Sequence, residues 1–177
     1  TMQDSKYIFF SAPYDHQREA FEASADAQSF ALLLDMGTGK TKVTLDTVGY
    51  LFEKSSVELV LVVAPKGVIP NWVPEIEAHL PPRIEREVVL WNPSLSKKRR
   101  DELNELYTKS SKLKFLLMNV EAFSTKKGTD VAELFVNRFK TFMVVDESTT
   151  IKNRRAKRTK ALCAVGRGAE YRRILTG

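Results

Sequence analysis

The sequence predicts an α/β protein built on a doubly wound, mostly parallel sheet with helices on both faces. Short apolar, β-branched runs alternate along the chain with longer stretches that have helical spacing. Most of these runs are apolar throughout, as is typical of strands that helices cover on both sides. Right-handed crossovers between such strands would bring their carboxyl ends to one edge of the sheet, where α/β proteins bind ligands.

Each predicted element corresponds to one apolar run or one helical stretch. The predicted strands are residues 30–34, 59–64, 87–91, 114–118, 141–145 and 172–175. The predicted helices are residues 15–25, 40–53, 70–79, 95–109, 130–137 and 154–165. The polar stretches at 110–111 and 125–129 are predicted to be surface loops.

Length and composition predict one globular domain over residues 1–177. The chain has 177 residues, of which 43% are apolar, and about 150 residues is usual for a domain. Its single cysteine, Cys163, excludes an internal disulfide framework and a multi-thiolate metal site. The apolar runs are too short to span a bilayer and the first residues lack the pattern of a signal peptide. We therefore expect an intracellular protein, cytoplasmic or nuclear, with no membrane partner.

The segment Asp-Met-Gly-Thr-Gly-Lys-Thr at 35–41 lies between a predicted strand and a predicted helix, as a phosphate-binding loop does. Its glycines allow backbone N–H groups to point inward, and the helix that follows adds its positive N-terminal end. Lys40 would reach the β- and γ-phosphates, and the Thr41 hydroxyl would bind Mg²⁺. The strict pattern has glycine where Leu34 stands.

A second motif ends the predicted strand at 141–145 with two adjacent carboxylates, Asp146 and Glu147. Consecutive residues of an extended chain point in different directions, so the two side chains can have different tasks. Asp146 would contribute to the Mg²⁺ site, and Glu147 would polarise the water that attacks the γ-phosphate.

A third segment begins the first predicted helix, with Asp15 as the predicted N-cap. Gln17 has both an amide donor and a carbonyl acceptor, the pair that can recognise the N6 and N7 edge of adenine. His16 is predicted to be structural and not catalytic. Together these segments predict catalytic residues Lys40, Asp146 and Glu147, metal ligands Thr41 and Asp146, and ATP-binding residues Gln17, Gly37, Thr38, Gly39, Lys40 and Thr41.

These segments, in this order and at these intervals, resemble a known family. From Tyr14 to Gly177 the chain resembles the N-terminal RecA-like lobe of a superfamily-two helicase-type motor, most closely the Swi/Snf-related DNA-dependent ATPases. The segments that carry the resemblance are 14–17, 35–41, 63–66, 70–75, 117–121, 146–153, 160–162 and 174–177.

The resemblance implies a RecA-like P-loop NTPase lobe that binds ATP and Mg²⁺ and couples hydrolysis to movement on nucleic acid, with double-stranded DNA favoured. It also implies that a second RecA-like lobe in the full-length chain completes the ATP site, so that residues 1–177 would be a fragment with little or no activity alone. The family usually has Asp-Glu-Ala-His in motif II, whereas Ser148 and Thr149 follow the acidic pair in this chain.

Nucleic-acid contacts are predicted at four residues. Resemblance to motif Ia, which grips the tracked strand in related motors, indicates Lys66, and Asn119 is the next candidate. A basic run at 152–160 follows the acidic pair directly and adds Lys152 and Arg154. Sequence-independent contacts of this kind would go to phosphates and would weaken with salt.

Other cationic and aromatic residues are predicted to have structural or solvent-facing positions. Most of the basic run, continued by Arg167, Arg172 and Arg173, has the composition of a solvated surface. Trp72 and Trp91 could stack on bases, but their apolar neighbours favour packing in the core.

Three other classes of function share parts of this pattern. A P-loop phosphotransferase would need an acceptor site and a lid, and Gln17 and the Ile-Lys-Asn segment at 151–153 disfavour it. A AAA-type protein remodeller would form hexamers with a helical lid domain, and the motif Ia resemblance disfavours it. A nucleic-acid-binding module with a decayed ATP site is disfavoured by the intact Lys40 and Asp146.

The phosphate loop can be tested by Lys40→Ala. We expect this variant to lose nucleotide binding, because the β- and γ-phosphates lose their main cation. Calorimetric titration with ATP measures the effect, and an unchanged ATP affinity would exclude the phosphate-loop assignment.

Overall fold

Six parallel strands form one sheet within the residues that the computed structural model describes, which are 7–34, 39–94, 96–146 and 157–176. In chain order they are β1 (Ser29–Leu33), β2 (Leu59–Ala64), β3 (Arg86–Leu90), β4 (Leu113–Asn119), β5 (Thr141–Asp146) and β6 (Tyr171–Thr176). The order across the sheet is β1-β6-β5-β2-β4-β3, and all neighbouring pairs are parallel. The predicted doubly wound sheet is confirmed.

Helices connect these strands in the described part of the chain. They are α1 (Asp15–Ser24), α2 (Lys40–Glu53), α3 (Trp72–His79), α4 (Lys97–Tyr107), α5 (Lys126–Arg138) and α6 (Lys157–Arg167), with 3₁₀ turns at Ile69–Asn71 and Val120–Ser124. Every predicted helix overlaps one of these. Residues 154–156, which the last predicted helix includes, lie outside the described residues.

Two local predictions were wrong. The stretch 125–129 begins α5 and is not a surface loop, because the Thr125 hydroxyl accepts a hydrogen bond from the Gly128 N–H at 3.1 Å and caps the helix. Asp15 is the first residue of α1 and not its cap, since Tyr14 holds the extended N-cap position. Both differences concern helix ends, where side-chain hydrogen bonds decide the boundary.

The core lies on both faces of the sheet. Strands β2 and β5 are buried at every position, whereas the edge strands β1 and β3 are partly exposed. Helices α1, α2 and α3 pack on one face, with Phe21 and Trp72 in the core, and α4, α5 and α6 pack on the other, with Phe135 and Leu162. Burial of each large apolar side chain contributes about 1.5–3 kcal/mol. None of the described helices is long and apolar enough to cross a membrane.

The parallel register aligns the carboxyl ends of the strands at one edge of the sheet. Asp146 of β5 lies opposite Leu175 of β6, and Ala64 of β2 lies opposite Asn119 of β4. Because β6 separates β1 from β5, the ends of those two strands are about 10 Å apart, or two strand spacings. Asp146 at the end of β5 and the chain that leaves β1 therefore belong to one edge.

A buried ion pair lies in α2, just after the predicted phosphate loop. The Lys42 ammonium donates to Asp46 Oδ2 at 2.6 Å and lies 5.3 Å from the centre of the Phe9 ring. Asp46 Oδ1 and the Tyr7 hydroxyl are both buried with no hydrogen-bond partner among the described residues. Burial raises the pKa of Asp46 to about 6, although the bond to Lys42 opposes the rise.

The pKa of Asp46 predicts how stability depends on pH. Its folded value of about 6 exceeds its unfolded value, so protonation favours the folded state. The contribution of this group to the free energy of unfolding is therefore present below about pH 4 and is lost as pH rises through 6. The loss is on the order of 3 kcal/mol. Urea unfolding between pH 4 and pH 7 measures it.

Two variants separate this effect from other titrations. In Asp46→Asn, which cannot titrate at this position, the loss of stability between pH 4 and pH 6 should be smaller than in the wild type. Asp130→Asn removes a partly exposed carboxylate and should retain the wild-type profile. Equal pH profiles for the wild type and Asp46→Asn would contradict the prediction.

Candidate functional site

The predicted phosphate loop connects the end of β1 to the start of α2. Gly39 is the N-cap of α2 and has φ +86°, in the left-handed region that glycine adopts without strain. The Lys40 ammonium donates to the Leu34 carbonyl at 3.2 Å, so it lies next to the residue that follows β1. Lys40 and Thr41 are both partly exposed at this edge, so their side chains can meet a ligand.

Gln17 lies directly against this loop, although 22 residues separate it from Gly39 in sequence. Its amide nitrogen occupies the space next to Gly39, where any Cβ at position 39 would collide with it. Its Oε1 accepts a hydrogen bond from the Tyr14 N–H at 2.9 Å, and the side chain is only 6% exposed. The structure therefore brings the predicted adenine-recognising residue to the predicted phosphate loop and orients its amide.

Tyr14 and His16 form an exposed aromatic pair beside Gln17. Their rings stack with centroids 5.9 Å apart and an interplanar angle of 19°. Tyr14 is 72% exposed, so a planar group can reach it from solvent. That His16 is structural and not catalytic stays a prediction.

Asp146 is the last residue of β5 and is 9% exposed. Its Oδ2 accepts a hydrogen bond from the indole N–H of Trp72, with a nitrogen–oxygen distance of 3.0 Å. Trp72 is the first residue of α3, the helix that follows β2. Because an indole N–H can only donate, the Asp146 oxygen is the acceptor of this bond.

The oxygen atoms at this edge are suited to a hard cation. Thr41 provides a hydroxyl and Asp146 a carboxylate, and oxygen ligands are those that Mg²⁺ prefers. Among the described residues, no group of three or more His, Cys, Asp or Glu side chains could hold a metal ion. Mg²⁺ commonly takes one or two protein oxygens, with phosphates and water completing its shell.

Five predicted site residues lie outside the described residues. They are Gly37, Thr38, Glu147, Lys152 and Arg154.

The candidate nucleic-acid residues lie further along the same edge. Lys66 is exposed in the turn after β2, and Asn119 ends β4, the neighbour of β2. The Asn119 amide donates to Glu121 Oε2 at 2.8 Å, so a carboxylate lies beside this candidate contact. The described nucleotide candidates, near the ends of β1 and β5, and Lys66 and Asn119, near the ends of β2 and β4, therefore occupy adjacent halves of one edge.

The end of the basic tail is structural, which corrects the expectation of a solvated surface there. Arg173 on β6 is 1% exposed, and its guanidinium donates to the Ser24 carbonyl at 2.7 Å, which joins the end of α1 to the sheet. Burial lowers the pKa of Arg173 to about 10, so it remains a cation at neutral pH. Arg172 donates to the Gly166 carbonyl at 2.8 Å. Each of these cations is held by a backbone carbonyl near the end of a helix, Ser24 in α1 and Gly166 in α6.

Sequence reasoning missed the contact of Trp72 with the predicted metal ligand. It predicted only that Trp72 and Trp91 pack in the core, and both are buried. The available signal was the N–H of the indole, since a buried tryptophan usually has a hydrogen-bond acceptor. The N–H does not identify its acceptor, which depends on how α3 packs against β5.

Gly39→Ala tests the contact between the loop and Gln17. We expect the added methyl group to strain the positive φ and to displace the Gln17 amide, at about 1–3 kcal/mol of stability. We also expect ATP affinity to fall by tenfold or more, because a tenfold loss corresponds to only about 1.4 kcal/mol of binding free energy. Gly67→Ala is the matched control, because nothing lies within 4 Å of a Cβ at that glycine. Equal melting temperatures and ATP affinities for the two variants would contradict the prediction.

Comparison with known proteins identifies relatives over most of the chain. The SNF2-related domain matches residues 16–177. A probable ATP-dependent DNA helicase of Arabidopsis thaliana is 30% identical over 145 residues, which cover 81% of this chain and 12% of that protein. A SWI/SNF chromatin-remodeling complex subunit of Schizosaccharomyces pombe is 29% identical over 145 residues, which cover 81% of this chain and 8% of that protein. The chain thus spans only a small part of the curated relatives it matches.

Solved structures share the fold. The SWI2/SNF2 ATPase core of Sulfolobus solfataricus, in complex with dsDNA, matches 98% of this chain and 33% of that chain with a TM-score of 0.72 and 20% identity. The UvsW helicase from bacteriophage T4 matches 94% of this chain and 53% of that chain with a TM-score of 0.65 and 12% identity. The fold agrees with the domain match over residues 16–177, and the chain belongs to the SNF2-related domain family.

Proposed function

We propose that this chain is the ATP- and Mg²⁺-binding lobe of a DNA-stimulated ATPase that moves on double-stranded DNA. The observation that supports this most directly is the shared edge of the sheet. Gln17, Gly39 and Lys40 lie together at the end of β1, and Asp146 ends β5 two strands away. Relatives of this chain are named as ATP-dependent DNA helicases and chromatin-remodelling ATPases.

The proposed mechanism follows from the chemistry of these side chains. Lys40 leaves its contact with the Leu34 carbonyl and pairs with the β- and γ-phosphates of ATP. Backbone N–H groups at the start of α2 bind phosphate oxygens, and Gln17 binds the adenine edge. Glu147 accepts a proton from the water that attacks the γ-phosphate.

The proposed metal ligands are Thr41 and Asp146. Bound there, Mg²⁺ would neutralise charge on the β- and γ-phosphates. The task of Asp146 is to present its carboxylate at a constant position, and the bond from Trp72 to Oδ2 restrains its rotation.

The proposed nucleic-acid surface is the half of the edge that β2 and β4 form. Lys66 contacts a backbone phosphate from the exposed turn after β2, and Asn119 contacts the same strand from β4. Lys152 and Arg154 are proposed as further phosphate contacts from the basic run in the sequence. Contacts with phosphates are independent of base sequence, which suits a protein that moves along DNA.

We further propose that residues 1–177 form one RecA-like lobe and that a second RecA-like lobe completes the ATP site in the full-length protein. The matched SWI2/SNF2 core is about three times as long as the region that this chain covers. The isolated lobe would then bind ATP but hydrolyse it slowly. An intracellular location, cytoplasmic or nuclear, agrees with relatives named as chromatin-remodelling proteins.

ATP hydrolysis by the full-length protein tests this function. Rates are measured without nucleic acid and with double-stranded DNA, single-stranded DNA or RNA, each at two salt concentrations. We expect double-stranded DNA to stimulate hydrolysis most, and the stimulation to decrease with salt because counterions compete for the phosphates.

Glu147→Gln is the matched control for the chemistry. It should retain ATP binding and lose turnover, because the amide cannot accept the proton of the attacking water. In the wild-type protein, basal ATP hydrolysis with no stimulation by any nucleic acid would favour a protein remodeller or a phosphotransferase. Turnover by Glu147→Gln near the wild-type rate would assign the water-polarising role to another residue.

A further inference from the structure

We propose that Trp72 is a positioning residue that couples the nucleic-acid side of the sheet edge to the Asp146 carboxylate on the nucleotide side. The inference rests on the proposed function, because it assigns Asp146 to Mg²⁺ and Lys66 to a phosphate of DNA. It adds a physical connection between these two sites, which lie at the ends of the neighbouring strands β5 and β2.

The hydrogen bond between Trp72 and Asp146 is buried and joins distant parts of the chain. The Trp72 indole nitrogen lies 3.0 Å from Asp146 Oδ2, between residues 74 positions apart in sequence. The indole is 1% exposed and the carboxylate is 9% exposed, so little water competes for the bond. A carboxylate has about four lone-pair sites, so one N–H bond orients the group and does not prevent it from binding a metal.

A short, hydrogen-bonded stretch of backbone leads from Lys66 to Trp72. After β2 ends at Ala64, the chain turns at Pro65, whose carbonyl accepts from the N–H groups of Val68 at 2.8 Å and Ile69 at 3.1 Å. The 3₁₀ turn Ile69–Asn71 then leads directly into α3, and Trp72 is its first residue. A displacement of the exposed turn would therefore reach the indole through only a few residues that are already hydrogen-bonded to each other.

The other tryptophan of the chain packs in the core without such a bond to any described residue. Trp91 is also buried, but its indole nitrogen has no hydrogen-bond partner among the described residues. The two tryptophans therefore differ in one respect that matters here: only Trp72 donates to a predicted metal ligand. Residues that orient a metal ligand typically change metal affinity or activity by about 10- to 100-fold when they are removed.

The test compares Trp72→Phe with Trp91→Phe in the full-length protein. Calorimetry measures the affinity for a non-hydrolysable ATP analogue with Mg²⁺ and with EDTA. We expect Trp72→Phe to reduce the gain in affinity that Mg²⁺ provides by about tenfold and to leave the affinity in EDTA unchanged. Trp91→Phe should retain the wild-type values, because it removes an N–H without a hydrogen-bonded acceptor.

Hydrolysis provides the second readout. The ratio of rates with and without double-stranded DNA should fall in Trp72→Phe and remain at the wild-type value in Trp91→Phe. Lys66→Ala should also lower this ratio, and the double variant Lys66→Ala/Trp72→Phe should lose less than the product of the two single effects, because both changes interrupt one path.

Loss of folding is controlled by a closer replacement. If Trp72→Phe does not melt cooperatively, Trp72 is replaced by benzothienylalanine, which has the shape of tryptophan with sulfur in place of the N–H. The proposal is overturned if the wild type gains affinity from Mg²⁺ and the folded Trp72 variant gains equally, with an unchanged DNA stimulation ratio. No Mg²⁺-dependent nucleotide binding in the wild type would overturn the proposed function itself, so the two failures are distinguishable.

Discussion

The parallel register of the sheet is the constraint on which the site depends. Parallel strands that are joined by crossover helices all end on the same side, so residues from β1, β5, β2 and β4 reach one edge without any long loop. The strand order then assigns positions along that edge. With β6 between β1 and β5, the phosphate-loop strand and the acidic strand leave about 10 Å between their ends, which is room for phosphates and a cation.

Polar bonds in the interior fix neighbouring elements of the sheet relative to one another. The guanidinium of Arg173 joins β6 to the end of α1, and the Lys114 ammonium, also buried, pairs with Glu87 at 3.2 Å between β4 and β3. Each charge would be costly to bury alone, so each is paired or bonded to carbonyl oxygens. Their effect is to set the positions of elements that apolar contacts alone would leave free to slide.

The contact of Gln17 with Gly39 shows how the start of the chain affects the site. Helix α1 precedes the sheet, and the apolar packing of Phe21 holds it on the same face as α2. Gln17 then fills the space that the missing side chain of Gly39 leaves. A base held by Gln17 and phosphates held by the loop would therefore be positioned by two elements in direct contact, which favours a nucleotide over a simple phosphate.

Local patterns were sufficient for the sheet class and for each strand and helix of the described residues to within a few positions, because periodicity is a property of adjacent residues. The site segments around Lys40 and Asp146 follow from short motifs of adjacent residues as well, and their roles stay a prediction. Local patterns could not identify the acceptor of the Trp72 N–H, the burial of Arg173 or the contact of Gln17 with Gly39. Each of these joins residues that are far apart in sequence, and each depends on which strands are neighbours and on which face a helix packs. Strand order and helix placement arise from the burial of the whole core, so the tertiary structure alone decided these contacts.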